Sequence, residues 1–360
     1  MTEYKSGLEG VVAFETEIAE PDRDGGALRY RGVDIEDIVG SLSFENVWGL
    51  LVDDDPEPGL APAARYDARN LSGNAPSDLQ SVTAGLAGEW SLGQLIDISD
   101  EQARDDLARL SGTMLSVVAQ SARHADGITA RADLDLVASG RTAAERFLLE
   151  WRGEADPKHV QAIDTYWVCT AEHGLNSSTF TARVVASTGA DCAASLSSAV
   201  GALSGPLHGG APARVLPMLD GAAAADSIED YVGELLDGGE RLMGFGHRIY
   251  RAEDPRSRIL RRTARALGSP RYEVAEELER AALAELQARK PDRVLATNVE
   301  FWSAVVLDVA DVPARLAPAM FACSRTAGWS AHIMEQKRLG RLVRPAARYV
   351  GPGPRPLPGS

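Results

Sequence analysis

Cysteine and histidine are scarce in this chain, and each scarcity removes a class of function. Three cysteines in 360 residues cannot build a disulfide framework. Cys169, Cys192 and Cys323 stand singly among small or apolar neighbours, without CxxC or Cys/His spacing, and read as reduced, buried fillers. The six histidines include no HExxH or comparable local pair, so no metal site is expected. A serine hydrolase would need a GxSxG elbow, which is missing. Positive charge is in deficit: 37 Lys and Arg against 52 Asp and Glu leave a formal charge of −15, which argues against nucleic acid or an anionic membrane held by bulk charge. No apolar run approaches membrane-spanning length, and MTEYKSGLEG lacks the charged-then-apolar layout of a signal peptide. A cytoplasmic protein is expected. There is no tandem repeat.

At 44% hydrophobic composition, the chain can bury one large core or two unequal domains. Partial alternation over residues 7–30, with the turn PDRDGG at 21–26, suggests a small β-hairpin. Helical spacing then takes over. Residues 44–52 and 99–123 read as helices, the second with Leu107, Leu110, Met114, Val117 and Ser121 on one face and a capping box from Ser99 and Gln102. Residues 53–62 and 153–157 read as loops, and His124 and His159 as surface residues. Residues 170–219 are rich in Ala, Ser, Gly and Thr, which lets helices approach closely. Pro212 marks a helix start and puts His208 in the loop before it. A two-sided helix spans 274–287, Asn298 caps a helix running to Val309 with Glu300 in its first turn, and GPGPRPLPGS cannot build regular structure.

The most concentrated stretch is LMGFGHRIYRAEDPR, residues 242–256. Gly244 and Gly246 allow close backbone approach, His247 is a candidate proton carrier, and Arg248, Arg251 and Arg256 can hold anions. Asp254 and Pro255 read as N-cap and first residue of a helix to Leu267 ended by Gly268. Arg256 then stands at a helix N-terminus, itself an anion-attracting place. His173 in EHGLN and His208 in SGPLHGG join His247 in glycine-rich settings. With Glu300 and the arginines they describe carboxylate and histidine acid–base chemistry on an arginine-clamped anion.

Here a resemblance becomes specific. GLEGVVAFETEI, LRYRGVDIEDIV, EHGLNSSTFTARVVASTGA, GALSGPLHGGAPARVL, LMGFGHRIYRAEDPRSRIL, NVEFWSAVVLDVADVP and SRTAGWSAHIMEQKRLGRLVRP occur in the order of the short bacterial citrate synthase family, with the weakest match between about 53 and 140. The resemblance implies a mainly α fold of two domains with a small N-terminal β-hairpin: a large domain over 1–208 and 309–350, a small domain over 209–308 that closes on the substrates, and a flexible tail at 351–360. It also implies a homodimer with dimer-forming helices between 177 and 203. The implied reaction condenses acetyl-CoA with oxaloacetate and hydrolyses the thioester to citrate and CoA, with the CoA ester as substrate and no cofactor.

By the same resemblance, Glu300 matches the carboxylate that takes the methyl proton and His208 the donor to the thioester oxygen. His247 matches the histidine that polarises the ketone of oxaloacetate. His173, Arg256 and Arg325 match oxaloacetate ligands, Arg344 matches an arginine reaching in from the second subunit, Arg251 matches a CoA phosphate ligand, and Leu242, Met243, Gly244, Phe245 and Gly246 match the segment bordering the adenine. One departure stands out: the family usually carries Asp where this chain has Glu300. Trp302 and Ala304 also differ from common neighbours and suggest a pocket adjusted to the longer side chain. Two alternatives stay open, 2-methylcitrate synthase acting on propionyl-CoA and a poorly active protein that binds oxaloacetate and CoA esters.

Overall fold

The computed structural model describes residues 4–8, 10–22, 26–63, 65–209, 214–246, 253–292 and 295–356. The expected hairpin forms: β1 (Ala19–Asp22) pairs antiparallel with β2 (Ala27–Tyr30), Ala19 opposite Tyr30 and Asp22 opposite Ala27. The sequence reading stopped at two strands, but β3 (Val33–Asp34) adds a third on the other edge of β2. Its turn uses Arg31 and Gly32 at φ 48° and 83°, the handedness that tight hairpins favour. Arg31 carries no glycine-like freedom, and its guanidinium holds the turn by donating twice to the Leu51 carbonyl, at 3.1 and 2.9 Å.

Helices make up the rest of the regular structure: α1 (Ile35–Ile38), α2 (Phe44–Asp53), α3 (Ala75–Glu89), α4 (Asp100–Ala125), α5 (Leu134–Ser139), α6 (Ala143–Arg152), α7 (Pro157–Thr170), α8 (Ser177–Ser187), α9 (Cys192–Leu203), α10 (Val215–Ala224), α11 (Ile228–Asp237), α12 (Pro255–Ala266), α13 (Tyr272–Arg289), α14 (Val299–Val309) and α15 (Ala317–Leu339). Their starts follow local chemistry. Ser99, Asp156, Asp191, Asp254 and Asn298 each accept a first-turn backbone N–H, satisfying donors that the helix cannot. The capping box at Ser99 is half made. Ser99 accepts from the Gln102 N–H at 3.1 Å, but the Gln102 amide binds Asp106 at 2.8 Å instead of reaching back.

The apolar face expected of α4 is buried, and burial extends round the helix to Leu115, Val118 and Ala119 because α3, α6, α9 and α15 all cover it. The small residues of α8 and α9 let these helices pack on each other and α9 on α3. All three cysteines are buried and free. His124 is exposed, whereas His159 is not a plain surface residue: it sits 3.4 Å from Arg152 and 3.7 Å from Asp311. Residues 351–356 have no regular structure, and among the described residues no helix is long and apolar enough to cross a membrane.

α15 runs through the middle of this arrangement. Every residue from 319 to 334 is buried, including Ser324, Arg325, Thr326, Ser330 and His332, and the helix packs on α2, α4, α7, α8 and α9. A helix buried on all sides must find a partner for each polar group. At its closest crossing, the Gly328 N–H donates to the Ala171 carbonyl at 3.2 Å. A Cβ on Gly328 would overlap the Glu172 carboxylate and lie 2.6 Å from Ala171 O. Gly328→Ala should therefore destabilise the chain by about 1–3 kcal/mol in urea denaturation, and an unchanged midpoint would contradict this tight crossing.

Candidate active site

Two clusters of buried charge face one another. The first is built on the N-termini of α12 and α14. Asp254, fully buried, accepts from the Arg256 N–H and Nε at 3.0 Å each with Oδ1, and with Oδ2 from Arg256 Nη2 at 2.8 Å and the Val299 N–H at 3.1 Å. One carboxylate thus caps α12, orients the Arg256 guanidinium and ties on α14. The sequence reading saw only the cap, because nothing local announces a contact 45 residues away. Asn298 accepts from the Glu300 N–H at 3.0 Å, which fixes Glu300 in the first turn of α14. The Glu300 carboxylate accepts no hydrogen bond from any described residue. Burial pushes it up to about 7, while Arg256 pulls it down and Asp254 pushes it up.

The segment 242–246 is stapled to this cluster. The Gly246 N–H donates to Ala296 O at 2.8 Å, the Asn298 N–H to Gly244 O at 2.9 Å, and the Asn298 side chain to Gly246 O at 3.0 Å. Leu242 and Gly244 are buried, with Met243, Phe245 and Gly246 half-buried. Gly244, at φ 88°, has a packing reason as well: a Cβ there would lie 2.6 Å from the Phe301 Cβ, so the glycine admits helix α14. His247 and Arg251 lie outside the described residues, as does Pro212.

The second cluster surrounds α15. Arg325 donates from Nε to Thr170 O at 2.7 Å, and its buried Nη1 has no partner among the described residues. Burial lowers this guanidinium's pKa; Glu172 opposes that and the charge of Arg256 reinforces it, so the two arginines lie within mutual electrostatic reach. Glu172 is completely buried, followed by the buried His173. Phe321 lies under Arg325, 4.7 Å from the guanidinium carbon, and meets the His208 ring edge-on at 6.4 Å.

His208 is expected before a helix starting at Pro212; residues 210–213 lie outside the described residues, and the next described α-helix, α10, begins at Val215. The helix end that faces it belongs to α8. The Ser178 N–H donates to His208 Nε2 at 3.4 Å, and Ser178 Oγ lies 2.9 Å from the same nitrogen. An N–H can face only a lone pair, so we assign the proton to Nδ1. Trp329 Nε1 steadies Ser178 Oγ at 3.2 Å. Burial, with Arg325 adding to it, holds the imidazole down at about 4, and the positive end of α8 favours the same neutral form. Neither Ser178 nor Trp329 was picked out from sequence. Arg344 is exposed, on a segment tied to α8 by the Val343 N–H donating to Ser187 Oγ at 3.0 Å.

The sequence matches the family described as "Citrate synthase, C-terminal domain" over residues 7–346. It is 60% identical to the protein named "Putative citrate synthase 2" of Mycobacterium tuberculosis over 98% of this chain and 94% of that one. The citrate synthase of Haloferax volcanii is 35% identical over 97% of this chain and 96% of its own length. Among solved structures, the Thermoplasma acidophilum citrate synthase, in ternary complex with carboxymethyl coenzyme A and oxaloacetate, superposes with a TM-score of 0.85 at 27% identity, covering 99% of this chain and 98% of that one. The chain belongs to the citrate synthase family. It is accordingly an acyltransferase with a mainly α fold.

Within this member of the citrate synthase family, the neighbours of Glu300 divide the work differently from the expectation. Trp302 is turned about 200° round α14 from Glu300 and serves the far side, donating to Glu279 at 2.9 Å and packing on Tyr272. Ala304, one turn on from Glu300 and buried, is the small residue on its face. Holding a carboxylate in this setting has a cost. With its folded pKa near 7 above an ordinary value of 4.5, Glu300 leaves stability unaffected below about pH 4.5 and reduces it as pH rises to 7 and beyond, by on the order of 3 kcal/mol. Glu300→Gln should raise urea stability at pH 8 by up to that amount and leave it unchanged at pH 4. Equal stabilisation at both pH values would show that the carboxylate is not strained by burial.

Proposed function

We propose that this member of the citrate synthase family condenses acetyl-CoA with oxaloacetate and hydrolyses the product thioester to citrate and CoA. The observation that carries the reading is an ionisable carboxylate at Glu300, without a hydrogen bond from any described residue and within electrostatic reach of Arg256, together with a neutral imidazole at His208 within reach of Arg325. A thioester methyl group is a very weak carbon acid. Its proton leaves only when a placed base takes it while a donor stabilises the enol oxygen. In the proposed roles, Glu300 takes the proton and the His208 Nδ1–H donates to the thioester oxygen. The enol carbon then bonds to the ketone carbon of oxaloacetate, whose oxygen receives a proton from His247, and water cleaves the thioester. The reading needs no cofactor, since the CoA ester is itself consumed.

Arg256, Arg325 and His173 hold oxaloacetate in this reading, the unpaired Nη1 of Arg325 matching a carboxylate oxygen. Arg251 meets a CoA phosphate and residues 242–246 border the adenine. Because Gly244 O and Gly246 N and O are already committed to residues 296–298, that border is formed by the outer surface of the segment. A homodimer brings Arg344 to the second subunit's site, and residues 209–308 close over both substrates against the remainder.

Thiol release from acetyl-CoA and from propionyl-CoA, each with and without oxaloacetate, tests the reading. Release should require oxaloacetate and be faster with acetyl-CoA. The reverse preference would assign 2-methylcitrate synthesis, a discrimination worth only about 1–3 kcal/mol. No release with either ester would leave a binding protein. Glu300→Gln should lower kcat by about a hundredfold or more, and kcat/KM of the native chain should rise with pH through an apparent pKa near 7, where Glu300 becomes ionised. Retained activity in the Gln variant would remove Glu300 from the base role.

A further inference from the structure

A buried polar chain leads away from the site into the body of the protein, and no role assigned so far uses it. His332, fully buried on α15, lies with Nε2 3.2 Å from Glu172 Oε1 and with Nδ1 2.9 Å from Arg183 Nη1. A guanidinium has no lone pair to offer, so Nδ1 must accept and Nε2 must carry the proton. The direction of the chain is thereby fixed: Arg183 donates to His332, and His332 donates to Glu172. Arg183 reaches from α8 and is itself held by Glu335, by Gln336 at 3.2 Å, and over the Phe14 ring at 4.2 Å. Glu335 continues outward, accepting from the Glu17 N–H at 3.0 Å and the Thr16 hydroxyl at 3.2 Å.

The inner end of this chain is the turn 170–173. Thr170 O anchors Arg325 Nε at 2.7 Å, Ala171 O takes the Gly328 N–H, and His173 follows Glu172 directly. Tyr30 grips the turn from the opposite side. Its hydroxyl lies 3.1 Å from Val168 O, 3.3 Å from Cys169 O and 3.1 Å from Glu172 O, and the Glu172 N–H approaches it at 3.3 Å. Backbone contacts therefore fix where the turn runs. Among the described residues, His332 is the one side chain that hydrogen-bonds the Glu172 carboxylate, and Oε2 of that carboxylate has no partner. A carboxylate kept dry and half-satisfied is costly. Its compensating interaction is electrostatic, with Arg325.

Building on the oxaloacetate site proposed above, we propose that His332 is a positioning residue for oxaloacetate: by holding Glu172 it sets the place and charge balance of Arg325 and the turn that bears His173. It touches neither substrate. Loss of its donor would free the Glu172 carboxylate to swing toward Arg325 and compete with the substrate carboxylate for the open guanidinium N–H.

The test compares His332→Leu, His332→Asn and His332→Gln in the full chain by steady-state thiol release. Gln can present an amide N–H near the position of Nε2; Asn is too short, and Leu has no donor. The Leu and Asn variants should raise KM for oxaloacetate about tenfold or more, while KM for the acyl-CoA at saturating oxaloacetate stays within about twofold. Gln should return KM for oxaloacetate to within about threefold of the native value. Should Leu fail to fold, Asn carries the comparison. Native KM for oxaloacetate in the Leu or Asn variant, equal rises in both KM values, or a loss of thermal stability with kinetics unchanged would each overturn the proposal. Absence of oxaloacetate-dependent release in the native chain would instead overturn the functional reading, so the two failures are separable.

Discussion

The interaction on which the site depends is the burial of two guanidiniums, Arg256 and Arg325, within electrostatic reach of each other. Burying like charges is expensive unless counter-charge and hydrogen bonds are supplied. Asp254 answers for Arg256 through two Nε/Nη contacts. Arg325 is answered less completely: one bond to a carbonyl, the more distant charge of Glu172, and an Nη1 without a partner among the described residues. The arrangement leaves guanidinium N–H groups open at one place, which in the proposed function a substrate carboxylate would meet. Against an overall charge of −15, the proposed function relies on this local concentration of arginine to capture an anion.

Two rigid frames hold the charges apart and in register. In one, Asp254 joins the starts of α12 and α14 and so fixes Arg256 relative to Glu300, while residues 242–246 pair with 296–298 behind them. In the other, one face of α15 sets the spacing. Arg325 meets Thr170, Gly328 the turn at 171, Trp329 reaches Ser178 beneath His208, and His332 and Gln336 meet Glu172 and Arg183. These positions recur at three to four residues, the period that keeps them on one side of a helix. A residue-sized shift of α15 would disturb the proposed acid and the proposed anion clamp together.

What the sequence made legible was mostly local. Asp254, Asn298 and Ser99 were recognisable as caps because a cap acts within three residues, and Arg256 was placed at a helix start by the same logic. The family resemblance gathered His173, His208, Glu300 and Arg325, although they come from distant parts of the chain. The mispredicted features depend on contacts that no local pattern encodes. Trp302 packs onto Tyr272 of α13, away from Glu300, and a two-residue third strand forms where Arg31 reaches Leu51. His332, in the middle of an apolar helix, gave no signal apart from being a polar residue in a buried stripe.

The most direct test of the account is calorimetric titration of oxaloacetate, without any CoA ester, into the native chain and into Arg325→Met, which keeps the volume of the side chain and removes its charge. The account predicts one oxaloacetate bound per native chain, weakened by added salt, and binding reduced about a hundredfold or more in the variant, the scale of a lost charge-assisted pair. Equal affinity in the two proteins would mean that the buried, half-paired guanidinium of Arg325 is not where the substrate's charge is received.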